Sequence, residues 1–166
     1  MILAFDSYYD CDKAKTVCIT FKNWTDNHPE NIFSQIIDVP SDYESGSFYK
    51  RELPCILKLL KSIEFKQIDF IIIDGFVLLD DQGKLGLGGH LFESLNKVIP
   101  VIGVAKSNFY GNDKNIVKLY RGESKKPLFI SANGIEKEIA SDLIKSMAGD
   151  FRIPTILKLL DAKTKE

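Results

Sequence analysis

The chain has 166 residues, of which 45% are hydrophobic, and its 22 lysines and arginines nearly balance its 23 aspartates and glutamates. This length and composition predict one globular domain over residues 1–166, with a sizeable core. The net charge of −1 argues against strong non-specific binding to nucleic acid, although it is compatible with a local basic face.

The first part of the chain predicts three β-strands. A short apolar run at residues 2–6 predicts the first strand, and residues 16–21, rich in β-branched and aromatic side chains, predict its hairpin partner. Residues 23–30 predict a turn, and residues 32–39 predict a third strand that ends at the chain breaker Pro40. These three strands can form an antiparallel meander.

From residue 48 onward, helices alternate with strands. Apolar residues at helical spacing predict a helix over residues 48–63, and the continuous apolar run at 68–73 is typical of a central strand covered on both faces. A helix over 86–95 and a buried strand over 100–105 follow. Strands joined through helices should be parallel, with right-handed crossovers.

The rest of the chain adds further elements to the same sheet. Residues 116–120 and 128–131 predict strands, residues 135–147 predict a helix, and a last helix starts near Pro154. This order predicts an α/β protein with a mixed β-sheet flanked by helices and suggests a ribonuclease H-like fold. The order alone would also be compatible with several other α/β topologies.

Three acidic residues lie at separated points of these elements. Asp6 and Asp74 follow apolar runs that predict neighbouring strands, and Glu52 lies on the intervening helix. Converging carboxylates repel one another unless a cation neutralises them, and oxygen ligands suit Mg²⁺. Metal-assisted phosphodiester hydrolysis is the usual role of such a site. Alternatively, the two aspartates only cap strands and Glu52 pairs with Lys50 or Arg51 on the surface.

Several short motifs occur in a consistent order over nearly the whole chain. They are Phe5-Asp6-Ser7-Tyr8, Tyr43-Glu-Ser-Gly46, Phe48-Tyr-Lys-Arg-Glu52, Asp74-Gly75, Leu85-Gly86 with His90, Ile102-Gly-Val-Ala-Lys-Ser107 with Gly111, Phe151-Arg152-Ile153-Pro154 and Leu160-Asp161-Ala162. In these motifs the chain resembles endonuclease V, a nuclease family that acts at deoxyinosine in DNA and inosine in RNA. The Gly-Val-Ala-Lys-Ser piece is the most specific of them.

The resemblance implies a set of catalytic residues. Asp6 and Asp74 would be the primary ligands of Mg²⁺, for which Mn²⁺ could substitute, and Glu52 would complete the acidic cluster directly or through a bound water. Lys106 would lie by the scissile phosphate, where its positive charge offsets charge that develops in the transition state. Asp161 falls where the family has a further acid, although a carboxylate on an exposed terminal helix is often only solvated.

The resemblance also implies substrate-binding residues. Tyr43 falls in the wedge motif, whose aromatic member helps to separate the strands around the lesion. Gly75, Gly86 and Ser107 would line the site of the modified base, where a glycine permits close approach. For the glycines, and above all for Gly103, simple turn geometry is the alternative. For His90, a hydrogen-bonding role in the helix or core is the alternative to a catalytic one.

Two segments depart from the family pattern. Glu44-Ser45 follow Tyr43, where the family has proline and an apolar residue. Residues 76–84 lack the family's His-Pro-Arg-Arg segment and carry Asp80 and Asp81 instead. Lost phosphate contacts and added negative charge should weaken nucleic-acid binding. The two acids either bind a second metal or are solvated loop residues, and we expect the latter.

These observations predict a Mg²⁺-dependent endonuclease that acts on inosine-containing DNA or RNA, in DNA repair or RNA processing. The alternatives are a divergent relative that binds nucleic acid but cuts weakly or not at all, and a ribonuclease H-like nuclease with a different substrate. We expect a cytoplasmic monomer without membrane contact, because no apolar stretch approaches the roughly 20 residues of a bilayer span. The three cysteines are expected to be buried free thiols.

Overall fold

The structure is a computed structural model that describes residues 1–38, 48–64 and 66–166. Within these residues the strands are β1 (Ile2–Asp10), β2 (Lys13–Phe21), β3 (Asn31–Asp38), β4 (Phe70–Asp74), β5 (Val101–Ala105), β6 (Val117–Leu119) and β7 (Leu128–Asn133). The helices are α1 (Phe48–Ser62), α2 (Leu87–Ser94), α3 (Lys137–Ser146) and α4 (Thr155–Thr164). Each predicted strand and helix is therefore present.

The strands form one mixed sheet in the order β3-β2-β1-β4-β5-β7-β6. β1, β2 and β3 pair as the predicted antiparallel meander, and β4 pairs in parallel with both β1 and β5. β7 and β6 extend the sheet through antiparallel pairing. The prediction that the first and fourth strands are neighbours is confirmed.

The first hairpin is longer than predicted. β1 continues to Asp10 and β2 begins at Lys13, and these two residues face each other across the hairpin. Opposite charges at such a cross-strand position stabilise the pairing, so the ladder continues into polar sequence. Asp6 consequently lies inside β1, and the prediction that it lies near the strand end is wrong.

Alternation along the strands divides the core between the two faces of the sheet. Ile2, Ala4 and Ile72 pack on one face with α3 and α4, and Leu3 and Phe5 pack on the other face with α1 and α2. The central strands are covered on both sides, as their continuous apolar sequence predicts.

The cysteines depart from the prediction at one position. Cys18 and Cys55 are buried free thiols, whereas Cys11 is exposed. Cys11 lies in the two-residue turn between β1 and β2 and has a φ of 55°. A hairpin tip projects beyond the packed layers, so its side chains meet solvent. In the described part of the chain, no helix is both long and apolar enough to cross a membrane.

Candidate active site

Asp6 and Asp74 lie side by side on adjacent parallel strands. The register pairs Phe5 of β1 with Ile73 of β4, so the residue that follows each of them is an aspartate. By strand alternation, both aspartates face the same side of the sheet as Ala4 and Ile72, which is the side covered by α4. Two carboxylates from strands far apart in sequence thus meet at one edge of the core.

A small cavity of about 30 Å³ lies beside these two aspartates. Its other polar wall residues are Lys106, which directly follows β5, and Asp161 of α4. The apolar part of the wall consists of Ile72, Ile73, Val104, Leu128, Ile153, Leu157 and Leu160. The cavity brings together four of the residues that the sequence motifs single out.

Asp161 forms ion pairs with two lysines at this site. Lys165 Nζ donates to both carboxylate oxygens of Asp161, at 3.0 and 2.9 Å, and Lys106 Nζ lies 3.8 Å from Asp161 Oδ1. The hydrogen bond from Lys165 lowers the pKa of Asp161, and the same bond raises the pKa of Lys165. Asp161 is therefore ion-paired, and the alternative that it is only solvated is wrong.

Lys165 is a site residue that the sequence prediction missed. The spacing of Asp161 and Lys165, four residues apart on one helix, was the available signal, because side chains at that spacing share a helix face.

Glu52 is buried, with 6% of its side chain exposed. The surface position that the alternative assumed for Glu52 is therefore wrong. The guanidinium of Arg51 lies 3.8 Å from the centre of the Tyr9 ring, and its positive charge favours the ionised form of Glu52. Burial raises the pKa of Glu52 well above its ordinary value, and the charges of Asp6 and Asp74 raise it further.

Asp6 and Asp74 also have raised pKa values. Burial, followed by the charge of Asp74, raises the pKa of Asp6 from 3.8 to about 7, against a hydrogen bond from the Ser7 backbone N–H at 2.8 Å. The side chain of Asp74 is open to water at one side, yet the surrounding protein raises its pKa, with Lys106 opposing and Asp161 adding to the shift. The site thus holds more negative charge than its lysines offset.

A hard divalent cation fits the chemistry of this donor set. Among the described residues, no group of three or more His, Cys, Asp or Glu side chains stands close enough together to enclose a metal ion. Mg²⁺, however, is usually bound by one or two carboxylates together with waters and substrate phosphates. Asp6 and Asp74 supply such a pair, and their raised pKa values reflect mainly the burial of negative charge, for which a bound cation would compensate.

Glycines allow the strands and loops around the site to pack closely. Gly75 directly follows Asp74 with a φ of +133°, a conformation that favours glycine. A Cβ on Gly86 would lie 2.6 Å from the Phe76 carbonyl oxygen, and one on Gly103 would lie 2.6 Å from that of Gly75. Gly103 lies within β5, so the alternative of turn geometry is wrong there.

The remaining predicted residues lie outside the cavity wall. The ring of His90 stacks on Tyr49 of α1, with ring centres 3.6 Å apart, and burial lowers the pKa of His90. Neither of the two roles considered for His90 includes this packing between α1 and α2. Ser107 is exposed next to Lys106. Tyr43, and with it the wedge motif, lies outside the described residues.

The two acids of the altered loop are structural. Asp80 Oδ1 accepts the backbone N–H groups of Gln82 and Lys84, both at 3.0 Å. Asp81 Oδ1 accepts those of Asp113 and Lys114, both at 2.8 Å. Both acids are partly exposed loop residues, and their hydrogen bonds also close the loop and connect it to the segment after β5.

Comparison with known proteins relates this architecture to one family. The sequence profile of the family described as Endonuclease V matches residues 1–162. No curated protein sequence is a significant match.

Solved structures with the same fold include three endonucleases V. Human ENDOV superimposes with a TM-score of 0.80 at 21% identity, over 99% of this chain and 82% of the human one. Ciona intestinalis endonuclease V, solved in complex with DNA containing an inosine, has a TM-score of 0.82 at 19% identity, over 99% of this chain and 83% of the Ciona one. The Bacillus subtilis protein has a TM-score of 0.75 at 19% identity, over 99% of this chain and 78% of the Bacillus one. The predicted α/β, ribonuclease H-like fold is confirmed.

Proposed function

Because the chain belongs to the endonuclease V family, we propose that it is a metal-dependent endonuclease that hydrolyses a phosphodiester bond 3′ to deoxyinosine or inosine in nucleic acid. The family makes it a nuclease, and the observation that supports a catalytic site in this chain is the adjacency of Asp6 and Asp74 beside Lys106. Asp6 of β1, Asp74 of β4, Lys106 directly after β5 and Asp161 of α4 surround one small cavity, and carboxylates beside a lysine are groups that can bind a cation and a phosphate.

Asp6 and Asp74 would hold the metal, with Glu52 acting from α1 through a bound water. We propose Mg²⁺, with Mn²⁺ as a substitute, because the donors are carboxylate oxygens. When bound, the cation supplies Lewis acidity toward the phosphate and lowers the pKa of a ligated water. Burial raises the pKa of Glu52, so its carboxyl group holds a proton more tightly than an exposed glutamate does, as a proton-transferring group requires.

Lys106 would stabilise negative charge on the scissile phosphate. It begins the segment after β5, and its backbone carbonyl accepts a hydrogen bond from Arg152, which fixes the chain at this point. Its Nζ is 3.8 Å from Asp161, whose carboxylate Lys165 already binds more closely. The pairing of Lys106 with Asp161 is thus the looser of the two, so its side chain can turn toward a phosphate, where a point charge lowers the energy of the transition state.

We propose that the substrate is an inosine-containing strand, with Gly75, Gly86 and Ser107 near the modified base and Tyr43 as the wedge. The Ciona intestinalis endonuclease V, whose fold this chain shares, was solved with DNA containing an inosine. At Gly75, next to Asp74, a Cβ would have only the Ile73 side chain nearby, at 3.7 Å, and such open space beside the backbone supports close approach of a base there.

A cleavage assay tests the substrate assignment. End-labelled single-stranded DNA, duplex DNA and RNA would each be prepared with inosine and, as matched controls, with guanosine at the same position. We expect Mg²⁺-dependent cleavage at the second phosphodiester bond 3′ to inosine in at least one of them, with EDTA abolishing it. Equal cleavage of the guanosine strands, or no cleavage of any strand, would contradict the proposal.

A second candidate function is nucleic-acid binding with weak or absent cleavage. The observation that favours it is the altered loop, in which Asp80 and Asp81 are hydrogen-bonded to backbone groups and replace the basic segment of the family. Fewer phosphate contacts reduce substrate affinity. Tight binding of the inosine strand without cleavage under any of these conditions would favour this candidate.

A further inference from the structure

A second, wider cavity adjoins the active-site cavity. Its volume is about 400 Å³, and its wall consists of Lys106, Phe151, Arg152, Ile153, Lys158 and Asp161. Three of these residues, Lys106, Ile153 and Asp161, also line the active-site cavity. We call this wider cavity the α4 groove. It continues the catalytic site along the start of α4.

The α4 groove has an excess of positive charge. Lys106, Arg152 and Lys158 are cationic, and the carboxylate of Asp161 is already bonded to Lys165. Arg152 is held in place by hydrogen bonds from its Nη2 to the carbonyls of Lys106 and Pro127, the latter at 2.7 Å. These carbonyls carry no net charge, so the guanidinium charge is not cancelled, and the groove as a whole attracts a polyanion.

Phe151 presents an aromatic ring at this groove. Its side chain is 74% exposed, so it contributes little to the core, and Lys158 Nζ lies 6.0 Å from the ring centre. An exposed large aromatic ring beside cations is the combination with which proteins bind single-stranded nucleic acid, since every base has a face that can stack.

The backbone at Phe151 is held by hydrogen bonds from a buried arginine. Arg121 is buried and donates hydrogen bonds to the carbonyls of Met147 at 2.7 Å, Gly149 at 3.1 Å and Phe151 at 2.5 Å. The same guanidinium also donates to the carbonyl of Arg152 at 3.4 Å, so it binds four carbonyls of one chain segment. The exposed ring is therefore held by an ordered backbone, which reduces the entropy that a ligand must overcome on binding.

We propose that the α4 groove binds a single-stranded segment of the substrate next to the scissile phosphate, with a base stacked on Phe151 and a backbone phosphate paired with Lys158. The inference rests on the proposed function, because it takes the adjoining cavity as the place of the scissile phosphate. Continuity with that cavity and the positive charge of the groove both favour a nucleic-acid strand as the occupant.

Binding without cleavage tests this assignment. A short fluorescein-labelled strand containing one inosine, as DNA and as RNA, would be titrated by fluorescence anisotropy in EDTA over a series of KCl concentrations. Phe151→Leu keeps apolar volume but removes the ring face, whereas Phe151→Trp keeps a stacking surface. Lys158→Gln removes one charge, and Lys61→Gln, an exposed lysine of α1 in the opposite layer, is its matched control.

We expect Phe151→Leu to raise Kd about fivefold or more, with Phe151→Trp binding at least as tightly as wild type. Lys158→Gln should lower the slope of log Kd against log salt by roughly 0.7, the value for one single-strand phosphate contact. Lys61→Gln should leave that slope unchanged.

Three results would overturn the groove assignment. The first is that Phe151→Leu binds as tightly as wild type, the second is that Lys158→Gln and Lys61→Gln have equal salt slopes, and the third is that wild type does not bind the strand. The cleavage assay separates the two proposals. If wild type cleaves the inosine strand and Phe151→Leu binds it as tightly as wild type, the groove assignment is wrong and the proposed function stands. Groove-dependent binding without cleavage supports the groove and refutes the proposed cleavage.

Discussion

At the scale of single residues, the adjacent carboxylates of Asp6 and Asp74 explain why this site should take up a cation. Each has a pKa above its ordinary value, which means that the folded protein holds their negative charge at a cost in free energy. A divalent cation offsets that cost because it neutralises both charges at once.

Replacing one of the two carboxylates should remove the metal site. We expect calorimetric titration of wild type with Mn²⁺ to give a saturable site that is absent, or at least about tenfold weaker, in Asp6→Asn. Asp142→Asn, which changes an exposed aspartate of α3, is the matched control and should bind as wild type does. Equal Mn²⁺ affinity in all three proteins would show that Asp6 is not a ligand.

The raised pKa of Asp6 predicts an unusual pH dependence of stability. Between its unfolded pKa of 3.8 and its folded value of about 7, the folded state binds more protons than the unfolded state, so this group lowers the stability of metal-free protein as pH rises. Asp6→Asn should therefore be more stable than wild type at pH 7.5, by about 1–2 kcal/mol after screening by water, and equally stable near pH 4.

Urea denaturation in EDTA at several pH values measures this difference. Comparison of the two proteins cancels the groups that do not interact with Asp6. Glu52 does not cancel, because the charge of Asp6 raises its pKa; the loss of that charge acts in the same direction and adds to the stability of Asp6→Asn at high pH. A constant difference between wild type and Asp6→Asn across the pH range would contradict the shifted pKa.

The residue-level predictions succeeded where a strand pattern placed the side chain. Asp6 and Asp74 could be brought together from sequence, because each follows an apolar run that predicts a strand of one sheet. The role of Asp81 could not, because its partners are backbone N–H groups 32 and 33 residues away. Local sequence carries no signal of such contacts.

At the scale of elements, the close packing of β5 against the loop after β4 positions Asp74. Gly103 of β5 has the carbonyl of Gly75 and the hydroxyl of Ser131 within 2.7 Å of where a Cβ would lie. Ser131 Oγ in turn accepts the backbone N–H of Val77 at 3.0 Å. A side chain at residue 103 would therefore push away the segment that follows the catalytic aspartate.

Gly103→Ala should consequently impair both stability and activity. We expect a loss of about 2–3 kcal/mol in the free energy of unfolding, since the added methyl group meets backbone atoms that cannot easily move. Gly111→Ala is the control: its Cβ would meet open space, and its φ of +78° alone should cost about 1 kcal/mol. Urea denaturation measures both, and an equal or smaller loss for Gly103→Ala would contradict the packing argument.

Element boundaries were less predictable than element types. Hydrophobic periodicity identified every strand and helix, but β1 and β2 extend beyond their apolar residues, because cross-strand pairing continues into polar sequence. A prediction based on apolar runs ends too early at such a hairpin. The consequence is local, since it moves Asp6 from the end of its strand to the middle.

At the scale of the whole molecule, the fold followed from the order of its elements, and the resemblance to a known family followed from short motifs in that order. The position of β7 between β5 and β6 did not follow, because antiparallel neighbours at a sheet edge depend on loop geometry. The α4 groove was likewise not predicted: it forms where the loop before α4 meets the end of β5, and these segments are 45 residues apart between Lys106 and Phe151.

The central claim is that Asp74 belongs to the machinery of a metal-dependent nuclease acting at inosine. Single-turnover cleavage of an inosine-containing strand in Mg²⁺, measured for wild type, Asp74→Asn and Asp142→Asn, tests it most directly. The account predicts that Asp74→Asn lowers the rate at least about 100-fold while its thermal unfolding stays cooperative and Asp142→Asn keeps the wild-type rate. Equal rates for wild type and Asp74→Asn would contradict it.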